Sequence, residues 1–203
     1  MRDFQRIPLV VIVPMLFAVC VGVSSARADI LYQQMQSPES TTASSQTLTD
    51  FPTFSTYQFD DFVVGETAWT VTRVTIPGFE QGDSTANTAV KLAFVPDHDF
   101  SLVGTTYNGT EDDHGNLVFD NLNINLSAAT TYWITAWVER SYADGGQWFW
   151  YRANEGGEIV GSEEYFHNPG GDYGYGMDPI PGSMVYGFPG DMAFTIEGTS
   201  GGG

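Results

Sequence analysis

The sequence contains a single cysteine, Cys20, which lies in an N-terminal segment typical of an export signal. Two arginines precede an apolar run at residues 7–23, and small residues follow it up to Ala28. A basic start, an apolar centre and an Ala-x-Ala end predict a secretory signal peptide, residues 1–28, cleaved after Ala28. The exported chain would then contain no cysteine, which excludes a disulfide, a thiol nucleophile and a cysteine metal site.

Basic residues are scarce as well. The sequence has 7 Lys and Arg against 25 Asp and Glu, a formal net charge of −18. Three of the seven basic residues would leave with the signal peptide, so the exported chain is more acidic still. Binding to phosphate groups requires clustered Lys and Arg side chains. We therefore expect no nucleic-acid partner and no membrane contact after signal cleavage. The signal peptide itself predicts a secreted, extracellular location.

Helical periodicity is absent after the signal segment. From Tyr57 onward, short runs rich in Val, Ile, Thr and aromatic residues alternate with turn-forming residues. About 8–10 such strands predict an all-β fold, an antiparallel, jelly-roll-like β-sandwich at residues 29–198. We expect a flexible Ser/Thr-rich loop at 36–50, a long Gly/Pro/Tyr-rich loop at 161–190 and a flexible tail at 199–203.

One predicted strand changes its pattern midway. In WTVTRVTI, residues 69–76, the apolar positions change parity between Val71 and Val74. Because side chains alternate strictly along a regular strand, this slip predicts a β-bulge near Thr72 and Arg73. The alternative is a strand that is buried on both faces at one end.

Four aromatic residues in a row lie within GGQWFWYRANEGG, residues 145–157. Alternation places Phe149 and Tyr151 on one face of a strand, and the two tryptophans with the arginine on the other. The rings form either a carbohydrate-binding surface or part of the core, and packing in the core is the favoured interpretation. The candidate ligand-binding residues, which include two tyrosines of the long loop, are Trp148, Trp150, Arg152, Tyr173 and Tyr175.

A second aromatic strand, TYWITAWVER, occupies residues 131–140. One of its faces is wholly apolar and is the natural core face: Tyr132, Ile134, Ala136 and Val138. The other face carries Trp133 and Trp137 and is expected to point outward or to lie under the long loop. The short connection SYADGG predicts that this strand pairs with QWFWYR as a hairpin.

Acidic turns make Ca²⁺ the best-supported candidate cofactor, because Ca²⁺ prefers hard oxygen ligands. The candidate metal ligands are Asp97, Asp99, Glu111, Asp112, Asp113 and Asn116. The segment that begins at Asp97 does not follow the EF-hand pattern, since Leu102 and Asn108 replace the required Gly and Glu. The alternatives are a solvated acidic turn and a Zn²⁺ site formed with His98 and His114.

Signals for catalysis are few. The sequence has no Gly-x-Ser-x-Gly motif, and its three histidines, His98, His114 and His167, lie in turn-like segments. Adjacent carboxylates such as Asp60 and Asp61 could serve a glycosidase, but in so acidic a chain such pairs also arise by chance. We therefore expect a protein that is not an enzyme.

Four motifs in a fixed order resemble a β-sandwich domain of exported bacterial proteins that carry PEP-CTERM or "choice-of-anchor" tails. The motifs are DDFVVGETAWTVTRVTIPGF, YWITAWV, GGQWFW and NPGG. The resemblance covers residues 57–198 and implies an extracellular module of no established catalytic activity. This sequence departs from the family in two ways: the sorting tail does not follow, and the turn after KLAFV reads PDHDFSLVGT.

The sequence is compatible with three functions. The favoured one is a secreted, non-enzymatic β-sandwich module with an extracellular interaction or matrix role. The first alternative is a lectin-like carbohydrate-binding module, with or without Ca²⁺, and the second is a glycan hydrolase or lyase that uses paired carboxylates. The expected partner is an extracellular glycan or a cell-surface or matrix protein.

Overall fold

The computed structural model describes residues 28–35, 41–96, 100, 104–154 and 158–201. The predicted signal peptide lies outside these residues, except for Ala28. The described part is all-β, with 17 strands in three sheets, which confirms the predicted fold class and is consistent with a sandwich. The strand number exceeds the expected eight to ten because many strands have only two or three residues.

In chain order the strands are β1 (Asp29–Gln34), β2 (Thr42–Ser44), β3 (Gln46–Leu48), β4 (Tyr57–Val63), β5 (Trp69–Ile76), β6 (Gly78–Gly82), β7 (Ala89–Pro96), β8 (Thr106–Asn108), β9 (Thr110–Glu111), β10 (Leu117–Phe119), β11 (Ile124–Leu126), β12 (Thr131–Arg140), β13 (Gly146–Ala153), β14 (Tyr165–His167), β15 (Ile180–Pro181), β16 (Asp191–Met192) and β17 (Phe194–Ser200). The helical elements are two 3₁₀ turns, Pro52–Phe54 and Ser84–Ala86, and two four-residue α-helices, α1 (Tyr142–Gly145) and α2 (Ser183–Tyr186).

Three sheets form the layers. The first has the order β1-β17-β5-β10-β9, with β11 also paired to β5. The second has the order β15-β14-β4-β12-β7-β8, with β3 joined to β12 as a parallel pair. The third, which we call the small sheet, has the order β16-β13-β2, with β6 also paired to β13.

The predicted bulge in β5 is confirmed. Along β17, Glu197 lies opposite Arg73 and the next residue, Gly198, lies opposite Val71. Thr72 is therefore the extra residue of β5. The bulge keeps Val71 and Val74 both buried in the core despite their opposite parity.

The main core lies between the first and second sheets, and the tryptophans of the small sheet contribute to it. Ile134, Ala136 and Val138 of β12 face this core, as the alternation in the sequence predicts. Burying one such side chain stabilises the fold by about 1.5–3 kcal/mol. A domain without disulfides depends on many burials of this kind.

The opposite face of β12 is also buried. Trp133 and Trp137 pack in a second cluster with residues of β4 and β7. Tyr165 of β14 covers this cluster, with its ring centroid 5.4 Å from that of Trp133. The segment 161–190 thus covers this face, which is one of the two arrangements expected from the sequence.

Several sequence-based expectations are wrong in detail. Strands β2 and β3 lie within the supposed loop 36–50, whose first five residues are outside the described part. The long loop contains β14, β15 and α2, and β17 extends to Ser200 in the supposed tail. Strands β12 and β13 are not hairpin partners, because α1 carries the chain from the second sheet to the small sheet. Among the described residues, no helix is long and apolar enough to cross a bilayer.

Candidate functional site

The two tryptophans of β13 belong to the core and offer no surface to a ligand. Trp148 and Trp150 are both 0% exposed. The indole N–H of Trp148 donates to the carbonyl of Gly115 at 2.8 Å, and that of Trp150 to the carbonyl of Ala193 at 2.6 Å. The one polar group of each indole, its N–H, thus has a hydrogen-bond partner inside the protein. The favoured interpretation, packing in the core, is confirmed for these two rings, and the alternative of a sugar-stacking surface formed by them is wrong.

Arg152, the third candidate on that face, is also fully buried. Its guanidinium donates to the carboxylate of Glu164 and packs over the ring of Tyr186, 4.4 Å from the ring centroid. It also donates to the carbonyl of Phe188 at 3.1 Å. Arg152 therefore connects the segment 161–190 to the small sheet. The prediction that Arg152 contacts a ligand is wrong, because its side chain is buried and serves this structural role.

The four predicted calcium ligands among the described residues do not form a metal site. Asp97 and Asp99 lie outside the described residues. The Asp112 carboxylate accepts the backbone N–H groups of His114 and Asn116 and the side-chain amide of Asn116, which closes a tight turn. Asp113 is exposed in the same turn, whereas the Glu111 side chain points to Asn87. In the described part of the chain, no group of three or more His, Cys, Asp or Glu side chains is arranged to hold a metal ion.

A cleft lined by aromatic side chains is the strongest candidate site in the described structure. It has a volume of about 340 Å³. Its four rings are 37–49% exposed, and its one amide side chain, Gln147, comes from β13. Ligand pockets commonly have this size and this mainly apolar lining with few polar groups. We call it the aromatic cleft; its lining residues are Leu48, Phe51, Phe54, Tyr142, Gln147 and Tyr173.

One wall of the aromatic cleft is formed by Phe51 and Tyr142, whose rings meet edge to face with centroids 6.0 Å apart. Asp50 holds this wall together. Its carboxylate accepts the backbone N–H groups of Tyr142 and Ala143, at 2.8 and 3.0 Å. Although desolvation acts to raise the pKa of Asp50, these N–H donors hold it below its usual value.

The other wall is formed by Phe54 and Tyr173, again edge to face, with centroids 5.5 Å apart. Asn168 is fully buried beneath it. The Asn168 side-chain amide donates to the carbonyls of Thr53 and Ser55, the two neighbours of Phe54, at 2.9 and 2.8 Å. Its oxygen accepts the backbone N–H of Tyr173 at 3.1 Å. One amide thus fixes both rings of this wall.

The NPGG motif explains how the chain approaches so closely here. A Cβ on Gly170 would lie 2.2 Å from the Cα of Thr53, so only glycine fits at this position. Gly171 has φ of +77°, a conformation that glycine adopts without strain. The motif that carried part of the family resemblance therefore builds the Phe54–Tyr173 wall.

Burial also acts on the polar groups of the cleft. It raises the pKa of Tyr173 above its usual value, and a side-chain hydrogen bond with Gln147 opposes that rise. The Tyr173 hydroxyl therefore stays neutral at ordinary pH and can both donate and accept a hydrogen bond. Tyr175, the other predicted loop tyrosine, is 43% exposed but lies against Phe166 rather than in the cleft lining.

Two carboxylates converge elsewhere, at a point where all three sheets meet. Glu80 of β6 accepts two hydrogen bonds from Arg140 of β12, at 2.7 and 2.6 Å. Glu111 of β9 accepts the side-chain amide of Asn87 at 2.6 Å, and its other oxygen has no donor. Desolvation and the nearby Glu80 raise the pKa of Glu111 to about 7.

Glu111 lines a second cleft, of about 390 Å³, but the carboxylate pair has only part of the chemistry of a glycosidase. Both oxygens of Glu80 are held by Arg140. The side chain of Glu111 is 4% exposed and its unpaired oxygen is buried. A general acid must reach the leaving group of its substrate, and a nucleophile must reach the sugar carbon. The geometry therefore favours a structural role for this pair.

Sequence reasoning found only Tyr173 among the residues of the aromatic cleft. Phe51 and Phe54 lie at a 3₁₀ turn and Tyr142 begins a four-residue helix, so all three were missed because they are outside the periodic strand patterns. A usable signal was present in FPTF, where two aromatic residues flank a Pro-containing turn that cannot continue a strand. Gln147 was missed because a single amide at the start of a strand forms no recognisable pattern.

Comparison with known proteins adds no assignment. No protein-family model matches the chain, and no curated protein matches it.

Proposed function

We propose that this protein is a non-enzymatic β-sandwich module that binds a carbohydrate in the aromatic cleft. The observation that carries the proposal is the cleft itself, with four partly exposed rings around about 340 Å³ and one amide, Gln147, among them. A sugar ring combines apolar C–H faces with hydroxyls at its edge. Aromatic rings complement the faces, and amide or phenol groups complement the edge.

The arrangement of the rings supports a ligand that is enclosed rather than laid flat. The ring planes within the two wall pairs are inclined at 83° and 82°. Rings set edge to face present surfaces in more than one direction, which suits one sugar unit held between two walls. The polar groups that could bind its hydroxyls are the Gln147 amide and the hydroxyls of Tyr142 and Tyr173.

A binding role without catalysis is supported by the position of the carboxylates. Asp50 lies beside the cleft, but its oxygens already accept three hydrogen bonds from residues 141–143. Elsewhere, both oxygens of Glu80 accept hydrogen bonds from Arg140, and the side chain of Glu111 is only 4% exposed. Among the described residues, no carboxylate lines the aromatic cleft, so the two-carboxylate mechanism has no counterpart there.

We place this function outside the cell, on the basis of the basic, apolar and small-residue pattern at residues 1–28. The strongly acidic exterior keeps such a protein soluble and disfavours anionic partners. The resemblance to exported sandwich domains points in the same direction.

A protein partner is the second candidate. It is favoured by exposed apolar side chains beside the cleft, since Tyr175 is 43% and Met177 is 64% exposed. Aromatic residues and methionine are enriched at the centres of protein interfaces. A cell-surface or matrix protein would then contact the Phe54–Tyr173 wall and this neighbouring surface together.

A glycan array tests the proposal. The purified protein is screened with and without a Ca²⁺ chelator, next to Tyr173→Ala and the matched control Val63→Ala. Val63 is 53% exposed at the opposite end of β12 from Leu48. We expect neutral glycan hits that Tyr173→Ala loses and that Val63→Ala keeps. An array without hits, or hits that Tyr173→Ala retains, would refute the assignment.

A further inference from the structure

The outward face of the small sheet adjoins the aromatic cleft. The second binding subsite that we assign to this face rests on the proposed function. Because Trp148 and Trp150 point inward, alternation turns Gln147, Phe149 and Tyr151 outward. Gln147 also lines the aromatic cleft. The next outward residue along β13 follows after about 6.6 Å, the length of two strand residues.

At that distance the sheet presents a second aromatic surface. Phe149 lies directly opposite Phe79 of β6. Their ring centroids are 6.3 Å apart and their planes are inclined at only 32°. Phe79 is 44% exposed. In contrast to the edge-to-face pairs of the cleft walls, these two ring planes are nearer to parallel than to perpendicular, and the pair offers aromatic surface on the outward face on which a sugar can stack.

Polar side chains flank this surface on the same face. Gln147 lies opposite Gln81, and Phe149 and Tyr151 lie opposite Ser44 and Thr42 on the other neighbouring strand. Amide and hydroxyl groups on either side of stacked rings can bind sugar hydroxyls. The outward face therefore combines the two kinds of group that the aromatic cleft also offers.

The rings are held from beneath. The Trp148 indole packs against Gly78, where an added Cβ would come within 2.2 Å of the ring. Gly78 precedes Phe79, and Trp148 precedes Phe149. The buried contact thus fixes the backbone at both Phe79 and Phe149, which lowers the cost of ordering a binding surface.

The charge of this face indicates the kind of glycan. All seven outward side chains of β2, β6 and β13 named above are uncharged. Asp50 lies beside the cleft, and the whole chain has a net charge of −18. Acidic glycans would be repelled, and no basic side chain of this face would bind them.

We propose that the aromatic cleft and the Phe79–Phe149 surface are two adjoining subsites for a chain of neutral sugars. The cleft holds one unit, and the outward face of the small sheet holds a following unit of the same chain. The ligand is an oligosaccharide or polysaccharide rather than a single terminal sugar.

The test measures affinity against chain length. Gluco-, manno- and galacto-oligosaccharides of one to six units are titrated into wild type and into Phe79→Ala/Phe149→Ala, with oligogalacturonides as the acidic series. In wild type we expect affinity for one neutral series to rise with length until both subsites are filled. The double variant should lose about tenfold in affinity for the long members and little for the shortest.

Each outcome has a distinct meaning. If neither the glycan array nor any series shows binding to wild type, the proposed function fails and this inference fails with it. If the array shows binding but no series does, this inference alone is refuted. If a series binds without dependence on length, or if the double variant binds long members like wild type, the second subsite alone is refuted. Binding of the acidic series as tight as the neutral one would overturn the neutral ligand class. Val63→Ala serves as the control, and thermal unfolding of each variant confirms that it is folded.

Discussion

The side-chain oxygen of Asn168 accepts the backbone N–H of Tyr173 at 3.1 Å, while the amide N–H groups of the same side chain donate to the carbonyls on either side of Phe54. A single buried residue therefore sets the positions of two rings that come from segments more than 100 residues apart. Because the side chain is fully buried, its bonds have no competition from water. The width of the aromatic cleft depends on this amide.

Asn168→Asp should lower stability and glycan affinity together. A carboxylate keeps the acceptor for Tyr173 but turns an oxygen toward the carbonyls of Thr53 and Ser55, and a buried charge without a donor is costly. We expect a loss of about 2 kcal/mol or more in the free energy of unfolding. Chemical denaturation measures it. Asn125→Asp, the same change at an exposed residue, is the control and should cost little; equal costs at both sites would contradict the role of Asn168.

Gly170→Ala should distort the Phe54–Tyr173 wall. The added methyl would lie 2.2 Å from the Cα of Thr53, and backbone cannot yield as a flexible side chain does. Overpacking of this kind typically costs about 1–3 kcal/mol. The melting temperature reports the cost, and Gly65→Ala is the matched control because nothing lies within 4 Å of the methyl added there. Identical melting temperatures for the two variants would show that the contact is not tight.

Glu164→Ala should release the segment 161–190. It leaves Arg152 buried without its carboxylate, and breaking a buried pair in this way costs about 3–5 kcal/mol. Because Tyr173 lies on this segment, glycan affinity should fall as well. Hydrogen exchange of the segment provides the measurement, with exposed Glu158→Ala as the control. Unchanged protection of the segment in Glu164→Ala would mean that other contacts hold it in place.

The stability of the protein should fall as pH rises from about 4.5 toward 7. The pKa of Glu111 is raised from 4.5 to about 7, so the folded state binds a proton that the unfolded state has already lost. This contribution is complete below pH 4.5 and is lost as pH passes about 7. Glu111→Gln, which imitates the protonated acid, should flatten this dependence and be more stable than wild type above pH 7.

The measurement is chemical denaturation across this pH range, with exposed Glu66→Gln as the control. Other buried acids, Asp60, Glu164 and Asp191, also have raised pKa values, so a residual slope of the same sign is expected in the variant. A Glu111→Gln variant that is less stable than wild type at every pH would show that Glu111 acts as a charged partner of Arg140.

Local patterns predicted much of the fold. The parity slip between Val71 and Val74 located the bulge at Thr72, because alternation is dictated by strand geometry alone. Alternation in β12 identified Ile134, Ala136 and Val138 as core residues for the same reason. Which strands pair with each other was harder to predict from the sequence. The short connection before β13 suggested a hairpin with β12, but α1 leads the chain into another sheet.

The candidate site was mostly hidden from the sequence. Parity showed that the tryptophans of β13 and Phe149 lie on opposite faces, but not which face is buried. That choice depends on Gly78 and Gly115, which provide room and a carbonyl for Trp148. The aromatic cleft is assembled from strand ends, turns and a short helix that are distant in sequence, and no local periodicity encodes such an assembly.

The most direct test of carbohydrate binding at the aromatic cleft is an NMR titration of the ¹⁵N-labelled protein with the neutral glycan that binds best in the array. We expect saturable shifts at the side-chain amide of Gln147 and at the backbone N–H groups of Tyr142 and Tyr173, with Val63 unchanged. A glycan that binds while these three signals stay in place, or the absence of any bound glycan, would contradict the account.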